Sequence, residues 1–487
     1  MIGALLLAMT LAPAVAGLGC VVVRRPRVCE ALNLVASIVV LGAAIVLLVR
    51  PGDASRTYWN GYIVFDRLGA WTLLCTGLVY FLASLYAIGY MRMLDEERRL
   101  HGFYALFAAF AFTMLLGPLM NNVGVYWIAI EATTLVSTFL VGFERGRDSI
   151  EAAWKYIVIV SAGISLALLG TMLFYWGGSF VLGPSYDMTW DALASAAPRM
   201  QPQVLLMAFL LVLVGYGAKV GLAPMHTWLP DAHSEGPAPV SAMLSGALLN
   251  TAMLGIARFV SIVDRAALGP TPRTVLIVLG ALSLTVAALF IVRQEGVKRL
   301  MAYSSVEHMG VLALGFGFGG PLGIAGALYH MLNHSLNKSL MFFGAGIVMR
   351  SYGTKEIAAI RGVLRHLPVV GALWLAGAVA ITGAPPFALF LSEFMVLRAG
   401  LKTGEIWAVV VMAVLLIVIF VGFLNHFRRM YFDDEEAVAP QRGSSRWCVL
   451  PMWLAAAPLL VMGLWWPRWL WDYFAVAAAQ LGGGGAG

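Results

Sequence analysis

Apolar runs of about 18 or more residues recur from one end of this chain to the other, and they restrict its fold more than any other feature. A run of that length with few charges spans the hydrocarbon core of a bilayer when it is coiled as an α-helix. Hydrophobic residues make up 61% of the chain and charged residues only 12%. Soluble helices need more charge than this on their solvent-facing sides. We therefore predict an all-α polytopic membrane protein.

Hydropathy predicts about fourteen transmembrane helices in a single membrane domain, residues 1–487. Their predicted spans are 1–23, 30–49, 68–91, 101–119, 121–143, 151–176, 202–222, 237–263, 274–292, 299–317, 321–349, 367–397, 405–427 and 448–467. Basic residues are about twice as frequent in one set of alternate loops as in the other, and the positive-inside rule makes the richer set cytoplasmic. We therefore expect both termini on the outer side of the inner (cytoplasmic) membrane. The net charge of +7 follows from these loops and does not indicate nucleic-acid binding.

The stretch GYGAKVGLAPMHTWLPDAHSEGPAPVSAMLSG places a lysine, Lys219, at the end of the seventh predicted span. A lysine in hydrocarbon costs roughly 3 kcal/mol or more unless it is paired or hydrated. Gly217, Gly221 and Pro224 surround it and indicate an interrupted helix. Interrupted helices occur in membranes where they face protein or a water-filled cavity. The stretch therefore predicts a buried cation beside internal water.

A second interruption lies in the twelfth predicted span, at ITGAPPFALFLSEF. Pro385 and Pro386 break this helix, and Glu393 follows seven residues beyond the second proline. The two broken helices are five spans apart, which predicts two five-helix repeats, 101–263 and 274–427. Paired interruptions of this kind indicate a transporter-like site in each repeat.

Two acidic residues lie near lysines within or beside apolar segments. Glu131 is in the middle of the fifth span and needs a partner or a proton, and Lys219 is the expected partner. A static ion pair that holds two helices together is the alternative. Glu151 and Lys155 lie at i, i+4 at the start of the sixth helix, where an interfacial structural pair is as reasonable as a functional one.

His330, His334 and Lys338 in LYHMLNHSLNKSLMFF follow one another at steps of four residues. Such steps keep them on one helix face, with roughly 6 Å of rise between neighbours. Histidine suits proton relay because its reference pKa is near neutrality, and bridging water would close the gaps. Interhelical hydrogen bonding or haem ligation would be alternative uses. Glu307 and His308 could continue the relay or cap a helix end.

His226, Asp231 and His233 follow the break in the seventh helix. Their residue types resemble a metal cluster, but Pro230 and the loop context favour a cytoplasmic intake funnel or local capping. The four cysteines contain no C-x-x-C pair, which argues against an iron–sulfur or zinc site. We therefore expect neither a cofactor nor a metal site in this chain.

Three stretches resemble the antiporter-like, proton-translocating subunits of respiratory complex I, group 4 membrane-bound hydrogenases and Mrp-type antiporters: KVGLAPMHTWLPDAHSEGPAPVSAMLSGALLNT, VKRLMAYSSVEHMGVLALG and LYHMLNHSLNKSLMFFGAG. SSVEHMG and AIEATTLVSTFLV look most like the hydrogenase-4 component F type. The resemblance implies that the two five-helix repeats are inverted. It also implies a Glu131–Lys219 pair, a central lysine at Lys338 and an exit residue at Glu393. Many complex I members have a histidine where this chain has Ser245, so the relay between Lys219 and His334 would use water or other groups.

We therefore predict a non-redox, proton-translocating subunit of an oxidoreductase complex of the NADH-quinone oxidoreductase or membrane-bound hydrogenase type. Protons would pass from Lys219 through His334, His330 and Lys338 to Glu393. Other membrane subunits and a peripheral redox module would be its partners, and they would carry iron–sulfur clusters and other redox centres. Whether sodium is also moved stays open. The alternatives are an Mrp-like cation/proton antiporter, and a membrane energy-coupling subunit of an inorganic-carbon uptake complex with a soluble carbonic-anhydrase-like partner.

Overall fold

The computed structural model describes residues 2–49, 55–94, 99–432 and 445–481. Residue 1 and residues 482–487, which the predicted domain 1–487 includes, lie outside the described residues. The helices of the first part of the chain are α1 (Ile2–Val23), α2 (Pro26–Val49), α3 (Arg67–Met91), α4 (Leu100–Leu116), α5 (Val123–Val141), α6 (Arg147–Leu182), α7 (Trp190–Ala196), α8 (Pro202–Val220), α9 (Trp228–Glu235), α10 (Ala238–Met243) and α11 (Leu249–Val263).

The second part of the chain continues the helical pattern. Its helices are α12 (Thr271–Val292), α13 (Val297–Phe318), α14 (Gly320–Tyr352), α15 (Val363–His366), α16 (Pro368–Ile381), α17 (Ala388–Thr403), α18 (Ile406–Phe432), α19 (Arg446–Leu464) and α20 (Arg468–Gln480). A short antiparallel hairpin joins α2 to α3, with β1 (Arg56–Tyr58) paired to β2 (Ile63–Phe65) and Thr57 opposite Val64.

In the described part of the chain, eleven helices are long and apolar enough to cross a membrane. The other three predicted spans are helical but differ in character. α13 and α14 have the required length but carry many polar residues, and the twelfth span is divided into α16 and α17. The all-α polytopic membrane fold is therefore confirmed, while the count of fourteen stays a prediction. The repeat boundaries 101–263 and 274–427 also stay predictions.

Polar and apolar residues are distributed as in a protein surrounded by lipid. Large apolar side chains are exposed on α1, α2, α5, α6 and α18, as Val22, Phe139 and Ile417 illustrate. By contrast, α13 and α14 are buried along nearly their whole length and hold three of the six buried histidines among the described residues. Charged groups in a membrane protein are least costly in such an interior, where other polar groups can solvate them.

Both predicted helix interruptions are present. α8 ends at Val220, Gly221 follows with a left-handed backbone (φ 82°), and α9 begins only at Trp228. The Trp228 indole donates a 2.7 Å hydrogen bond to the Ala218 carbonyl, which also accepts from the Gly221 N–H at 3.3 Å at the end of α8. The second break separates α16, which ends at Ile381, from α17, which begins at Ala388.

One irregularity was not expected from the sequence. α10 and α11 form a single membrane span, but a π-helical turn, Leu244–Leu248, joins them. A π-turn releases backbone carbonyls from the helical ladder. Ser245 and Gly246 use theirs to accept hydrogen bonds from His334 Nε2 (3.1 Å) and Ser335 Oγ (2.6 Å) on α14. The turn thereby connects the first part of the chain to the second.

Candidate functional site

Lys219 is fully buried near the C-terminal end of α8. Its Nζ donates hydrogen bonds to Thr134 Oγ1 (2.8 Å) on α5 and to Tyr156 OH (3.0 Å) on α6. The helix ends here because Gly221 takes a left-handed backbone, so the ammonium lies beside the break rather than within a continuous helix. The lysine is therefore solvated by two hydroxyl groups.

Glu131 is connected to Lys219 through a threonine. The Thr134 hydroxyl accepts from Lys219 and donates to Glu131 Oε2 at 3.3 Å, while Ser161 Oγ donates to Glu131 Oε1 at 2.6 Å. The predicted Glu131–Lys219 pair is thus indirect, because Thr134 lies between the two charged groups. Thr134 is one helical turn from Glu131, and that i, i+3 spacing is the signal that could have identified it.

The ladder on α14 is fully buried, and its three members face different partners. His334 Nε2 donates to the Ser245 carbonyl, as described above. Lys338 Nζ donates to the Met301 carbonyl at 3.0 Å and to Ser304 Oγ, both on α13. The shared helix face predicted from the spacing is therefore directed towards α13 and the π-helical turn.

His308 and His330 form a directly hydrogen-bonded pair. His308 Nδ1 and His330 Nε2 are 3.0 Å apart, and His330 Nδ1 is 2.9 Å from Ser392 Oγ. The Ser392 hydroxyl donates its proton to the Leu389 carbonyl, so it accepts from His330 Nδ1. His330 Nε2 must then accept from His308 Nδ1 when both rings are neutral. This assignment leaves His308 Nε2 buried and without a hydrogen-bond partner among the described residues.

Two carboxylates complete the second group. Glu307 lies one turn beyond Ser304 on α13, and both of its oxygens are buried without a partner in the described ranges. Glu393 on α17 offers an oxygen within 4.8 Å of a ring nitrogen of His308 and one of His330. Buried polar atoms in native proteins are nearly always satisfied, so these groups require water, a cation or each other.

The position of Glu393 relative to the α14 ladder bears on the predicted relay. His330 lies beside Glu393, whereas Lys338 contacts α13 two helical turns further along α14. Glu393 is thus nearer to His330 than to Lys338, and the predicted order, in which Lys338 precedes Glu393, stays a prediction. The i, i+4 spacing specifies which residues share a face, but it cannot tell which end of the ladder approaches α17.

The residues after the first break do not gather at one point. Asp231 is ion-paired with Arg299 and lies 3.2 Å from Lys155 Nζ, which is also 2.8 Å from Glu151. His226 lies beside the Tyr303 ring, with centroids 6.3 Å apart. These contacts give Asp231 and Lys155 a role in holding α6, α9 and α13 together near one membrane surface.

His233 is the member of this set that lies deepest. It is fully buried, its ring lies against Trp228 and Phe342, and neither ring nitrogen has a hydrogen-bond partner among the described residues. Trp228 also contacts Tyr156, a Lys219 partner, and Phe342 is one turn from Lys338. His233 is therefore placed between the two groups of titratable residues.

Sequence reasoning missed Lys298, because it falls between the predicted spans 274–292 and 299–317 and was therefore taken as a loop residue. It is buried, and its Nζ donates to the Ser234 carbonyl at 3.1 Å and to the Gly236 carbonyl, at the end of α9. It lines a polar cavity of about 650 Å³ together with Ser234, Glu235 and Lys355. This cavity reaches from the side predicted to be cytoplasmic to the residue next to His233.

Arg258 also lies within a predicted span, 237–263, and its role is structural. Its Nη2 lies 2.8 Å from Asp66 Oδ2, and its guanidinium covers the Trp190 ring. This ion pair holds α11 against the start of α3, away from the titratable groups of the proposed relay.

A membrane protein with two broken helices and buried lysines, histidines and glutamates beside them belongs to the class of antiporter-like membrane subunits. The profile of the NADH:quinone oxidoreductase/Mrp antiporter transmembrane family matches residues 120–419, and the chain belongs to this family.

Individual relatives agree with this assignment. The hydrogenase-4 component F homolog of Methylacidiphilum infernorum is 37% identical over 355 residues, which cover 72% of this chain and 75% of the relative. Subunit N of the NADH-quinone oxidoreductase of Halorhodospira halophila is 30% identical over 404 residues, or 82% and 81% of the two chains. A chain of the Mrp complex from Dietzia sp. shares the fold with a TM-score of 0.87, at 20% identity over 99% of this chain and 97% of that one.

Proposed function

We propose that this chain translocates protons through a buried relay that runs from Lys219 to Glu393. The observation that carries the proposal is the series of buried titratable side chains beside the two helix breaks: Lys219, His233, Lys338, His334, His308, His330 and Glu393. Protons would leave the relay at Glu393, and the polar cavity lined by Lys298 would supply protons beside His233. Water would bridge the gaps between groups that do not touch.

The driving step in this proposal is electrostatic. A change of charge at Glu131 alters the stability of the Lys219 ammonium, because Thr134 connects the two groups. Two unit charges with one hydroxyl between them, roughly 5 to 6 Å apart, interact by about 3 kcal/mol in a moderately polar interior. That energy is large enough to decide which group holds the proton.

The same proposal assigns the chain to a multi-subunit complex of the inner membrane, with both termini outward. Partner subunits would supply the redox energy and carry the iron–sulfur clusters and other redox centres. An Mrp-like cation/proton antiporter is the second candidate, because the Mrp chain shares the fold over nearly its whole length. Both candidates use the same relay.

The first test replaces Lys219 in the complex and measures proton translocation in proteoliposomes. We expect Lys219→Ala to reduce translocation about 100-fold, the size typical of losing a proton-transfer group. Lys219→Arg should also be poor, because arginine does not release its proton. Lys402→Ala, which removes an exposed lysine at the end of α17, is the matched control and should behave as wild type. Normal pumping by Lys219→Arg would show that Lys219 is a fixed charge.

A further inference from the structure

His308, His330 and Glu393 bring three metal-ligating side chains together on three different helices. One ligand atom from each lies within 4.8 Å of those of the other two, and all three residues are buried. His308 is on α13, His330 on α14 and Glu393 on α17, so packing in the second part of the chain assembles the group. Among the described residues, no other group of three His, Cys, Asp or Glu side chains meets this distance.

The donor set is that of a transition-metal site. Two imidazoles and one carboxylate with an open fourth position are a common ligand set for Zn²⁺. Nitrogen ligands disfavour sodium, calcium and magnesium, which prefer oxygen. In a tetrahedral zinc site the two imidazole nitrogens would be roughly 3.3 Å apart. The present 3.0 Å between His308 Nδ1 and His330 Nε2 requires a small separation of the two rings, and the His308 proton must move from Nδ1 to the unpartnered Nε2 so that Nδ1 can ligate the ion.

Hydrogen bonds around the group prepare His330 for metal binding. Its Nδ1 donates to Ser392 Oγ, and this leaves Nε2 as the nitrogen with a lone pair that faces His308. A ligating histidine usually donates its other N–H to an acceptor of this kind, which fixes the ring and its tautomer. Glu393 Oε1 is buried without a hydrogen-bond partner in the described ranges, so the carboxylate has an open coordination position.

A small cavity borders the group on the lipid-facing side of the protein. Glu393 lines a cavity of about 220 Å³ between α16, α17 and α18, together with Thr382 and Gly383. Phe390 and Phe394 form part of its apolar wall. Ile417, which also lines this cavity, is exposed to lipid, so the cavity gives the carboxylate room to move but is not an aqueous entry path.

We propose that His308, His330 and Glu393 form a binding site for Zn²⁺ or a similar transition-metal ion, which inhibits the protein when it binds. A bound ion would occupy lone pairs of three residues of the relay, so protons could not pass from His330 to Glu393. The inhibition rests on the proposed function, whereas the metal binding does not.

The experiment measures metal binding and inhibition separately in the tag-free complex. Purified complex is equilibrated with Zn²⁺, dialysed, and analysed for bound metal by mass spectrometry; the expected result is one ion more per complex than in the His308→Gln and His330→Gln variants. His334→Gln is the matched control, because His334 shares the helix face but is not a ligand, and it should keep the ion. Ser392→Ala should weaken binding about tenfold, as is usual when a ligand loses its hydrogen-bond acceptor.

Co²⁺ provides a readout that does not depend on the variants' folding. In the wild-type complex it should give the intense visible absorption of a tetrahedral ion, and Zn²⁺ should displace it. Equal metal content in wild type, His308→Gln and His330→Gln, or a weak octahedral Co²⁺ spectrum, would overturn the site. A bound ion that leaves proton translocation unchanged would confirm the site and contradict the relay through it.

Discussion

At the scale of single residues, the Thr134 hydroxyl decides how Glu131 and Lys219 influence each other. A hydroxyl has one proton to donate, and here it accepts from Lys219 and donates to Glu131. If Lys219 lost its proton, Thr134 could donate to the free amine and would then release Glu131. The protonation states of the two groups are thereby coupled through one rotatable bond.

This coupling can be tested by removing the hydroxyl without changing the volume of the side chain. Thr134→Val should lower proton translocation by about ten- to a hundredfold, because a hydrogen bond to a charged group contributes about 1.5–3 kcal/mol. Thr134→Ser keeps the hydroxyl and should stay near wild type. The measurement is proton uptake by proteoliposomes at matched protein content. Equal rates for the valine and serine variants would show that Thr134 only packs.

The charged members of the site could be predicted from the sequence, but their hydroxyl partners could not. A lysine or glutamate in an apolar run is costly and rare, so Lys219 and Glu131 were conspicuous. Thr134, Ser304 and Ser392 were not, because a hydroxyl in a membrane helix can bond to its own backbone at little cost. Which hydroxyl faces which charge depends on helix rotation, and the sequence does not specify it.

At the scale of elements, the second helix break shapes the pocket around Glu393. Gly383 follows the end of α16 with a left-handed backbone (φ 65°), and a Cβ added there would overlap the Glu393 carboxylate. A side chain at this position would therefore strain the backbone and displace the Glu393 carboxylate. Glycine at this position allows the backbone after α16 to lie directly against the Glu393 carboxylate.

A pair of glycine variants separates the effect of backbone strain from the effect of displacing the Glu393 carboxylate. Gly383→Ala and Gly404→Ala each place alanine at a left-handed backbone, at φ 65° and φ 80°, and each should lose roughly 1–2 kcal/mol of stability. Only Gly383→Ala should also reduce proton translocation, since nothing lies within 4 Å of a Cβ at Gly404. Thermal unfolding and proton uptake are measured on both. Translocation that falls equally in the two variants would contradict a special role for the Gly383 contact.

The helix breaks after α8 and after α16 could be predicted because proline and glycine mark them. The π-helical turn could not be predicted. Residues 238–263 read as one continuous apolar helix, and the turn changes only which carbonyls are free. Its effect, the hydrogen bond from His334 to the Ser245 carbonyl, depends on how α14 packs against the turn. The family resemblance indicated that Ser245 lies near the relay. It could not show that the Ser245 carbonyl is the hydrogen-bond partner of His334.

At the scale of the whole molecule, the two parts of the chain are joined by polar contacts around the relay. The π-helical turn bonds to α14, Lys298 bonds to the end of α9, and the Ala223 N–H donates to Ser283 Oγ at 2.9 Å. These contacts keep His233 between Lys219 and Lys338. The predicted fold class and both breaks are confirmed, while the order of the relay stays a prediction, because helix spacing alone does not determine which groups are neighbours.

Glu393 offers the most direct test of the central claim, that protons cross both parts of the chain and leave at this residue. Proton uptake is measured in membrane vesicles for Glu393→Gln and Glu393→Ala at matched expression, and the redox activity of the partner subunits is measured on the same vesicles. We predict that both variants lose uptake while assembly and part of the redox activity are retained, because neither side chain can accept and release a proton. Wild-type uptake in both variants would show that protons leave by another route and would contradict the proposed relay.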